Sequence, residues 1–292
     1  METATLGKTG VEVSRIGFGG APAGITNYLG RYSPENGNQR QRVVEAIERA
    51  VELGITYFDT AASYGKGASE RIFGEALRPH LDRVFLATKL APARRDDARA
   101  SVAASLERLG CECVDLVQVH GGSYSPAQRD LVLGKDGTLE ALEELRSEGC
   151  VRYVGFTTED QNRAVYDFIE SGRFDVMQIC YNLIFQHPAE RTRPFGCMCE
   201  AERHGMGIVT MRTVTSGIFQ KWVRLVNPAD GFDYSPALIQ FVLSNSMVDV
   251  ALIGMRTPDE VERNVAICSD MDSRIDIDAL HHKFEPDEEA AQ

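Results

Sequence analysis

Tyr57-Phe58-Asp59-Thr60-Ala61-Ala62-Ser63-Tyr64-Gly65 is the stretch that decides the fold. The residues at 55–58 form a short, mostly apolar run of β-branched and aromatic types, which predicts a buried strand. A helix predicted over 43–53 precedes this strand. Asp59 therefore stands where the strand ends, and Tyr64 follows in a loop of small residues. A carboxylate and a phenol in these positions can serve proton transfer if a cation lowers the pKa of the phenol.

The next two predicted strands each end on a candidate partner for this pair. Lys89 ends the strand that begins at Phe85, and His120 ends the strand that begins at Val114. Side chains alternate along a strand, so Gln118 and His120 share one direction. If that direction is inward, we expect His120 and Lys89 to meet near Asp59.

Strands and helices alternate on both sides of this region. The short strands are nearly continuously apolar, as expected when helices cover both faces of a parallel sheet. Eight such units favour closure into a (β/α)8 TIM barrel, which we expect to be one domain over 1–292 with an acidic tail from about residue 272. An open doubly wound sheet is the alternative, but Pro22 replaces a glycine that a dinucleotide fingerprint starting at Gly17 requires. The predicted strands cover 15–20, 55–60, 84–90, 114–120, 153–158, 176–182, 208–213 and 248–255.

Composition narrows the class of protein further. The chain has 292 residues and a formal net charge of −12, with no basic run, so nucleic acid and anionic membranes are not expected partners. No apolar stretch is long enough to span a bilayer, and the N-terminus lacks the layout of a signal peptide, so we expect a cytoplasmic protein. The seven cysteines are scattered, and four of them form two C-x-C pairs, Cys111 with Cys113 and Cys197 with Cys199, not the C-x-x-C of zinc sites. No metal is expected.

Several of these segments resemble the signature blocks of the aldo-keto reductases. They are Phe58-Asp59-Thr60-Ala61 with Tyr64-Gly65, Ala87-Thr88-Lys89, and Asp115-Leu116-Val117-Gln118-Val119-His120. The resemblance extends from about Leu6 to Asn264. It implies a TIM barrel whose floor is closed by an N-terminal β-hairpin, here predicted over 5–16. It also implies an enzyme that uses a nicotinamide cofactor to reduce small aldehydes or ketones to alcohols.

The resemblance assigns catalytic roles to four residues. Tyr64 would donate a proton to the carbonyl oxygen as hydride reaches the carbon. The Lys89 ammonium would favour the phenolate, and Asp59 would keep Lys89 charged and in place. His120 would hydrogen-bond the carbonyl oxygen and orient it. These roles are electrostatically consistent with one another.

The second half of the barrel is expected to hold the cofactor. Thr158 stands where the family usually has Asn, and Met211 where many members have a Tyr that stacks on the nicotinamide ring. Arg256 opens the last helix and could bind a 2′-phosphate, which favours NADPH over NADH. Against this, Glu260 lies where several relatives carry a second arginine. The full set of expected cofactor residues is Gly20, Thr157, Thr158, Gln178, Met211, Arg212, Ser216, Gly217, Gly254, Arg256 and Asn264.

The substrate pocket is expected among the loops that rim the barrel. Its candidate walls are Tyr28, Tyr124, Phe219 and Trp222. One alternative function is a cofactor-binding regulatory or sensor protein on the same barrel with little turnover. A metal-dependent hydrolase is a second alternative, but the first strand ends in Gly17-Phe18-Gly19 and lacks the His pair of such sites.

Overall fold

The structure, a computed structural model, describes residues 1–189, 195–277 and 279. In these ranges, eight parallel strands close into a barrel in which strands adjacent in the chain are neighbours and the first barrel strand pairs with the last. The predicted TIM barrel is therefore confirmed. The barrel strands are β3 (Ile16–Gly19), β4 (Tyr57–Asp59), β5 (Phe85–Leu90), β6 (Val114–Val119), β7 (Val151–Thr158), β8 (Val176–Cys180), β9 (Gly207–Met211) and β10 (Val250–Gly254).

The register of the strands brings the polar residues to one end of the barrel. Lys89 on β5 pairs with Gln118 on β6, and Thr157 on β7 pairs with Gln178 on β8. Because all eight strands run in the same direction, their carboxyl ends lie on one face, where active sites of this fold form.

Helices surround the barrel and bury the outward faces of its strands. An aromatic cluster shows the packing: the ring of Phe73 lies edge-on to Phe18 and Phe58, with centroids 5.7 and 6.4 Å away. The α-helices are α1 (Ala21–Gly24), α2 (Gly37–Glu52), α3 (Ala68–Leu77), α4 (Arg95–Leu109), α5 (Pro126–Leu133), α6 (Thr138–Ser147), α7 (Arg163–Glu170), α8 (Cys197–Arg203), α9 (Ile218–Val226), α10 (Ser235–Leu243) and α11 (Pro258–Ser269).

The N-terminal hairpin is present and closes the amino-terminal end of the barrel. Strands β1 (Thr3–Thr5) and β2 (Glu12–Ser14) pair antiparallel. Between them, Leu6 is completely buried in a cluster of inward-facing barrel residues. A Cβ at Gly207 would lie 2.7 Å from a Leu6 methyl group, so the glycine leaves the space that the leucine fills.

Some helix boundaries differ from the sequence prediction. Helices α1, α5 and α9 were not predicted, although α5 carries a readable start signal in the Ser125–Gln128 capping box with Pro126 at its first position. The sequence pattern also predicts a single helix over 189–204, with a break near Pro194. Within the described part of that range, the helix is α8, which begins at Cys197 after Gly196 with φ 120°, and Pro194 lies outside the described residues. The acidic tail likewise lies mostly outside them.

Among the helices of the described ranges, none combines the length and the continuous apolar character that spanning a bilayer requires.

Candidate active site

A cavity of about 520 Å³ opens at the carboxyl ends of the barrel strands. This volume lies in the range usual for small-molecule and cofactor pockets. Its wall combines residues from both halves of the barrel. The predicted site residues that line it are Gly20, Tyr28, Asp59, Tyr64, His120, Thr157, Gln178, Met211, Arg212, Ser216 and Gly254.

Lys89 and Asp59 form a buried ion pair beneath this cavity. The Nζ atom of Lys89 lies 2.5 Å from Oδ2 of Asp59 and also donates to the backbone oxygen of Thr60 at 2.8 Å. Burial alone would lower the pKa of Lys89, but the neighbouring Asp59 and Tyr64 together raise it. Burial raises the pKa of Asp59, and Lys89 opposes that change. Lys89 therefore remains an ammonium at neutral pH.

Tyr64 reaches the same ammonium from the loop after β4. Nζ of Lys89 lies 5.0 Å from the centre of the Tyr64 ring. Burial raises the pKa of Tyr64, and Lys89 only partly offsets this. The net direction differs from the expectation that Lys89 would dominate. Since the desolvation of the phenol outweighs the attraction of the cation, Tyr64 keeps its proton at neutral pH.

His120 stands beside the phenol as a neutral imidazole. Its ring centroid lies 5.7 Å from that of Tyr64, with the planes nearly perpendicular at 84°. Burial, with added repulsion from Lys89, lowers the pKa of His120 to about 4. The Nδ1 atom lies 3.3 Å from Oγ of Ser63. At neutral pH this ring can therefore take part in hydrogen bonds without carrying a charge.

Gln118 connects the ion pair to the opposite side of the barrel. Its Nε2 atom donates to Oδ1 of Asp59 at 3.2 Å and to Oε1 of Gln178 at 3.0 Å. Strand alternation predicts that Gln118 points in the same direction as His120, yet no motif in the sequence assigns Gln118 a role. The contact could have been anticipated only from the register of β6 with its neighbours.

Gln178 presents its remaining polar group to the cavity. Its Nε2 atom faces the thioether sulfur of Met211 at 3.7 Å, a weak acceptor. A ligand carbonyl would be a stronger partner for this donor. The carboxamide oxygen of a nicotinamide has that chemistry, so the residues present fit such a cofactor.

The two threonines among the expected cofactor residues, Thr157 and Thr158, are placed differently. Thr157 lines the cavity, but its hydroxyl donates to the backbone oxygen of Gly121 and accepts from the backbone N–H of the same residue. Thr158 is completely buried, and its hydroxyl is engaged by backbone groups of Gly122 and Asp160. The structure therefore does not bring the Thr158 hydroxyl into the cavity.

Arg212 and Glu159 form an ion pair across the cavity mouth. Nη2 of Arg212 lies 2.5 Å from Oε1 of Glu159, and both side chains remain about one-third to two-fifths exposed (35% and 42%). Arg212 has a left-handed backbone with φ 58°, and Nδ2 of the buried Asn182 donates to its carbonyl oxygen. Glu159 is a lining residue that the sequence did not single out.

Arg256, expected at a 2′-phosphate, lies outside this cavity. Its guanidinium lies 4.9 Å from the ring of Tyr32 and donates to the backbone oxygen of Tyr28. At the start of α11, the Glu260 carboxylate accepts from the backbone N–H groups of Arg256 and Thr257, at 2.6 and 3.2 Å. A carboxylate thus already occupies the helix N-terminus where a phosphate was expected.

Of the remaining cofactor candidates, Gly217 lines a neighbouring cavity that also has Lys221 and Arg224 in its wall. Asn264 is buried on α11.

The expected substrate walls are only partly assembled. Tyr28 lines the cavity. Tyr124 is buried instead, and its hydroxyl donates to the backbone oxygens of Val119 and Thr157. Phe219 packs against Trp222 and Tyr234 outside the cavity lining, and Trp222 is 60% exposed on α9. The structure therefore brings one of the four to the site.

Across the part of the chain that the structure describes, no group of three or more His, Cys, Asp or Glu side chains is placed to hold a metal ion.

Known proteins share both the sequence pattern and the fold. Over 94% of its length the chain is 26% identical to L-galactose dehydrogenase of Arabidopsis thaliana, of which it covers 90%. It is also 26% identical to pyridoxal 4-dehydrogenase of Microbacterium luteolum, with 90% of this chain and 92% of that protein covered. A third relative is the NADH-specific methylglyoxal reductase of Escherichia coli, 29% identical over 63% of this chain and 60% of that protein.

Solved structures show the same barrel. The holo form of an aldo-keto reductase from Bacillus halodurans matches with a TM-score of 0.74 and 24% identity, covering 95% of this chain and 93% of that one. An aldo-keto reductase from Klebsiella pneumoniae in complex with NADPH matches with a TM-score of 0.71 and 24% identity, over 96% and 93% of the two chains. The sequence profile of the aldo/keto reductase family matches residues 15–234. The chain belongs to the aldo/keto reductase family.

Proposed function

We propose that this protein interconverts small aldehydes or ketones and their alcohols with a nicotinamide dinucleotide, and that Tyr64 is the proton donor in the reducing direction. The observation that supports this most strongly is the position of the Lys89 ammonium, which lies between the Asp59 carboxylate and the Tyr64 ring under the cavity. An ion pair that served only to stabilise the fold would not require a protonated phenol on the side that faces the cavity.

The four residues divide the work of a carbonyl reduction. A bound reduced nicotinamide would supply the hydride. Tyr64 holds its proton until negative charge grows on the substrate oxygen, and the Lys89 ammonium then stabilises the phenolate that remains. Asp59 holds Lys89 in place. The neutral His120 orients the substrate oxygen without competing as an acid, because its pKa is about 4.

For the dinucleotide, we propose that both NADPH and NADH are accepted and that Arg256 and Glu260 set the preference. Arg256 offers a cation for a 2′-phosphate, which is the basis for expecting NADPH. The Glu260 carboxylate at the start of α11 repels the same phosphate and must be displaced by it. Relatives of both kinds are consistent with this balance, since one is NADH-specific by name and one solved structure holds NADPH.

The direct test is fluorescence titration of the purified protein with NADPH and with NADH, followed by turnover on a panel of small aldehydes and ketones. Binding of either dinucleotide with turnover on at least one carbonyl compound is the expected result. Binding without turnover across a broad panel would favour the regulatory or sensor alternative. Absence of binding would overturn the proposal.

A further inference from the structure

Gln118 lies beneath the floor of the cavity and touches both halves of the proposed site. The side chain is completely buried and does not line the cavity. One amide nitrogen contacts the Asp59 carboxylate on one side and the Gln178 carbonyl oxygen on the other, at 3.2 and 3.0 Å. Gln118 is not among the four residues to which the resemblance assigns catalysis, although one of its two partners, Asp59, is.

The chemistry of these contacts determines how both amides are oriented. An ionised carboxylate only accepts hydrogen bonds, so Asp59 requires the Nε2 end of Gln118 to face it. The second hydrogen on this nitrogen then points to Gln178, whose oxygen must be the acceptor. With its oxygen held, Gln178 has to turn its own Nε2 towards Met211 and the cavity. The charge on Asp59 therefore determines that Gln178 presents an N–H donor at the opposite wall of the cavity.

Stability alone does not account for an amide at this position. The Oε1 atom of Gln118 is buried and has no hydrogen-bond partner among the described residues. A buried acceptor without a partner costs about 1–3 kcal/mol. Apolar side chains fill the next inward position on the strand, where Leu116 is completely buried. A residue of that kind would avoid the unpaired acceptor.

We propose that Gln118 is a positioning residue that holds the Gln178 amide with its N–H donor directed at the nicotinamide carboxamide of the cofactor. This inference rests on the proposed function, because it assumes a dinucleotide in the cavity. Gln118 itself touches neither the cofactor nor the substrate. Its effect is transmitted through Gln178, and it couples the orientation of that amide to the Asp59–Lys89 pair.

The test compares two Gln118 variants with one control. Gln118→Leu removes both hydrogen bonds. Gln118→Glu keeps the size of the side chain, but its carboxyl has at most one proton, which the charge on Asp59 attracts. It therefore no longer donates to Gln178, and the Gln178 amide can turn its N–H group towards the new carboxyl and away from the cavity. Leu116→Met is the control for a disturbed barrel interior, since it is a volume-conserving change one inward position away. Each protein is titrated with its tighter-binding dinucleotide and with ADP-ribose, which lacks the nicotinamide ring.

We expect both Gln118 variants to bind the dinucleotide roughly tenfold more weakly, the loss typical of one misplaced hydrogen bond. Their affinity for ADP-ribose should stay within about twofold of wild type, because the contact that Gln118 is proposed to support is with the nicotinamide, which ADP-ribose lacks. In turnover assays, KM for the dinucleotide should rise more than KM for the carbonyl substrate. The control should match wild type in all three measurements.

Two results would overturn this inference while leaving the proposed function intact. One is unchanged dinucleotide affinity in both Gln118 variants. The other is an equal loss of ADP-ribose binding, which would show a general structural effect. If wild-type protein binds neither ADP-ribose nor any dinucleotide, the proposed function fails first, and that outcome is distinguished by the wild-type titration.

Discussion

The Nζ atom of Lys89 lies 2.5 Å from Oδ2 of Asp59, and the two side chains are only 0% and 3% exposed. Removing one partner of such a pair leaves an uncompensated charge in the protein interior. We expect Lys89→Met to lose about 3–5 kcal/mol of unfolding free energy in urea titrations. Turnover should fall with it, because Tyr64 loses its neighbouring cation.

A double variant isolates the interaction. Asp59→Asn with Lys89→Met removes both charges and should recover part of the stability lost in Lys89→Met. If the two single losses simply add in the double variant, the buried pair is not energetically coupled. That result would contradict the predicted energetic coupling between Asp59 and Lys89.

Tyr64→Phe should lower kcat by roughly 10²–10⁴-fold while leaving dinucleotide affinity within about twofold. The variant loses only the phenol hydroxyl, which the proposal makes the proton donor. Tyr28→Phe is the matched control, because its ring also lines the cavity but is proposed only as a wall. Wild-type rates in Tyr64→Phe, measured by steady-state kinetics, would show that another group donates the proton.

His120 should make stability depend on pH below neutrality. Its pKa is about 4 in the folded protein and about 6.5 in an unfolded chain. Between these pH values the unfolded chain binds a proton that the folded protein does not, so stability rises with pH across this window. Lowering the pH from 7 to 5 should reduce the free energy of unfolding by about 1–2 kcal/mol through this group.

The measurement is urea unfolding of wild type and His120→Gln at pH 7 and pH 5. The variant should lose less stability than wild type on acidification, because it has no imidazole to protonate. An identical pH dependence in the two proteins would mean that His120 is not held neutral.

Glu260→Gln should shift cofactor preference towards NADPH by roughly 3–10-fold in the ratio of the two dissociation constants. Glutamine can still complete the capping box with Thr257 but carries no charge against a 2′-phosphate. Glu262→Gln on the same helix is the control, since that side chain is exposed and pairs with Arg49. An equal shift in both variants would point to net charge alone.

The positions of the catalytic candidates could be predicted from sequence because they depend on strand ends. Asp59, Lys89 and His120 each follow from a short apolar run and the two-residue period of a strand. In parallel strands those ends share one face, so the structure brings them together with Tyr64. No distance was needed for that prediction.

Other residues depend on local hydrogen bonds that the sequence does not reveal. Tyr124 looked like a pocket wall, but two backbone oxygens hold its hydroxyl inside the protein. The Thr158 hydroxyl is similarly engaged by backbone groups. The Gln118 contacts required the register between strands from different parts of the chain. The sequence shows that residue 260 is a glutamate. Its hydrogen bond from the Arg256 backbone N–H depends on the residue at which α11 begins, which the structure provides.

The closure of the barrel has a consequence for how the chain folds. Strand β3 pairs with β10, so Gly19 finds its partner only at Gly254. Leu6 likewise packs against Gly207. During synthesis, β3 and Leu6 leave the ribosome long before these partners have been made. Until then, the backbone groups of β3 that pair with β10 have no strand partner. We therefore expect barrel closure to be a late step, after β10 has emerged, and to be slow because the decisive contacts are far apart in sequence.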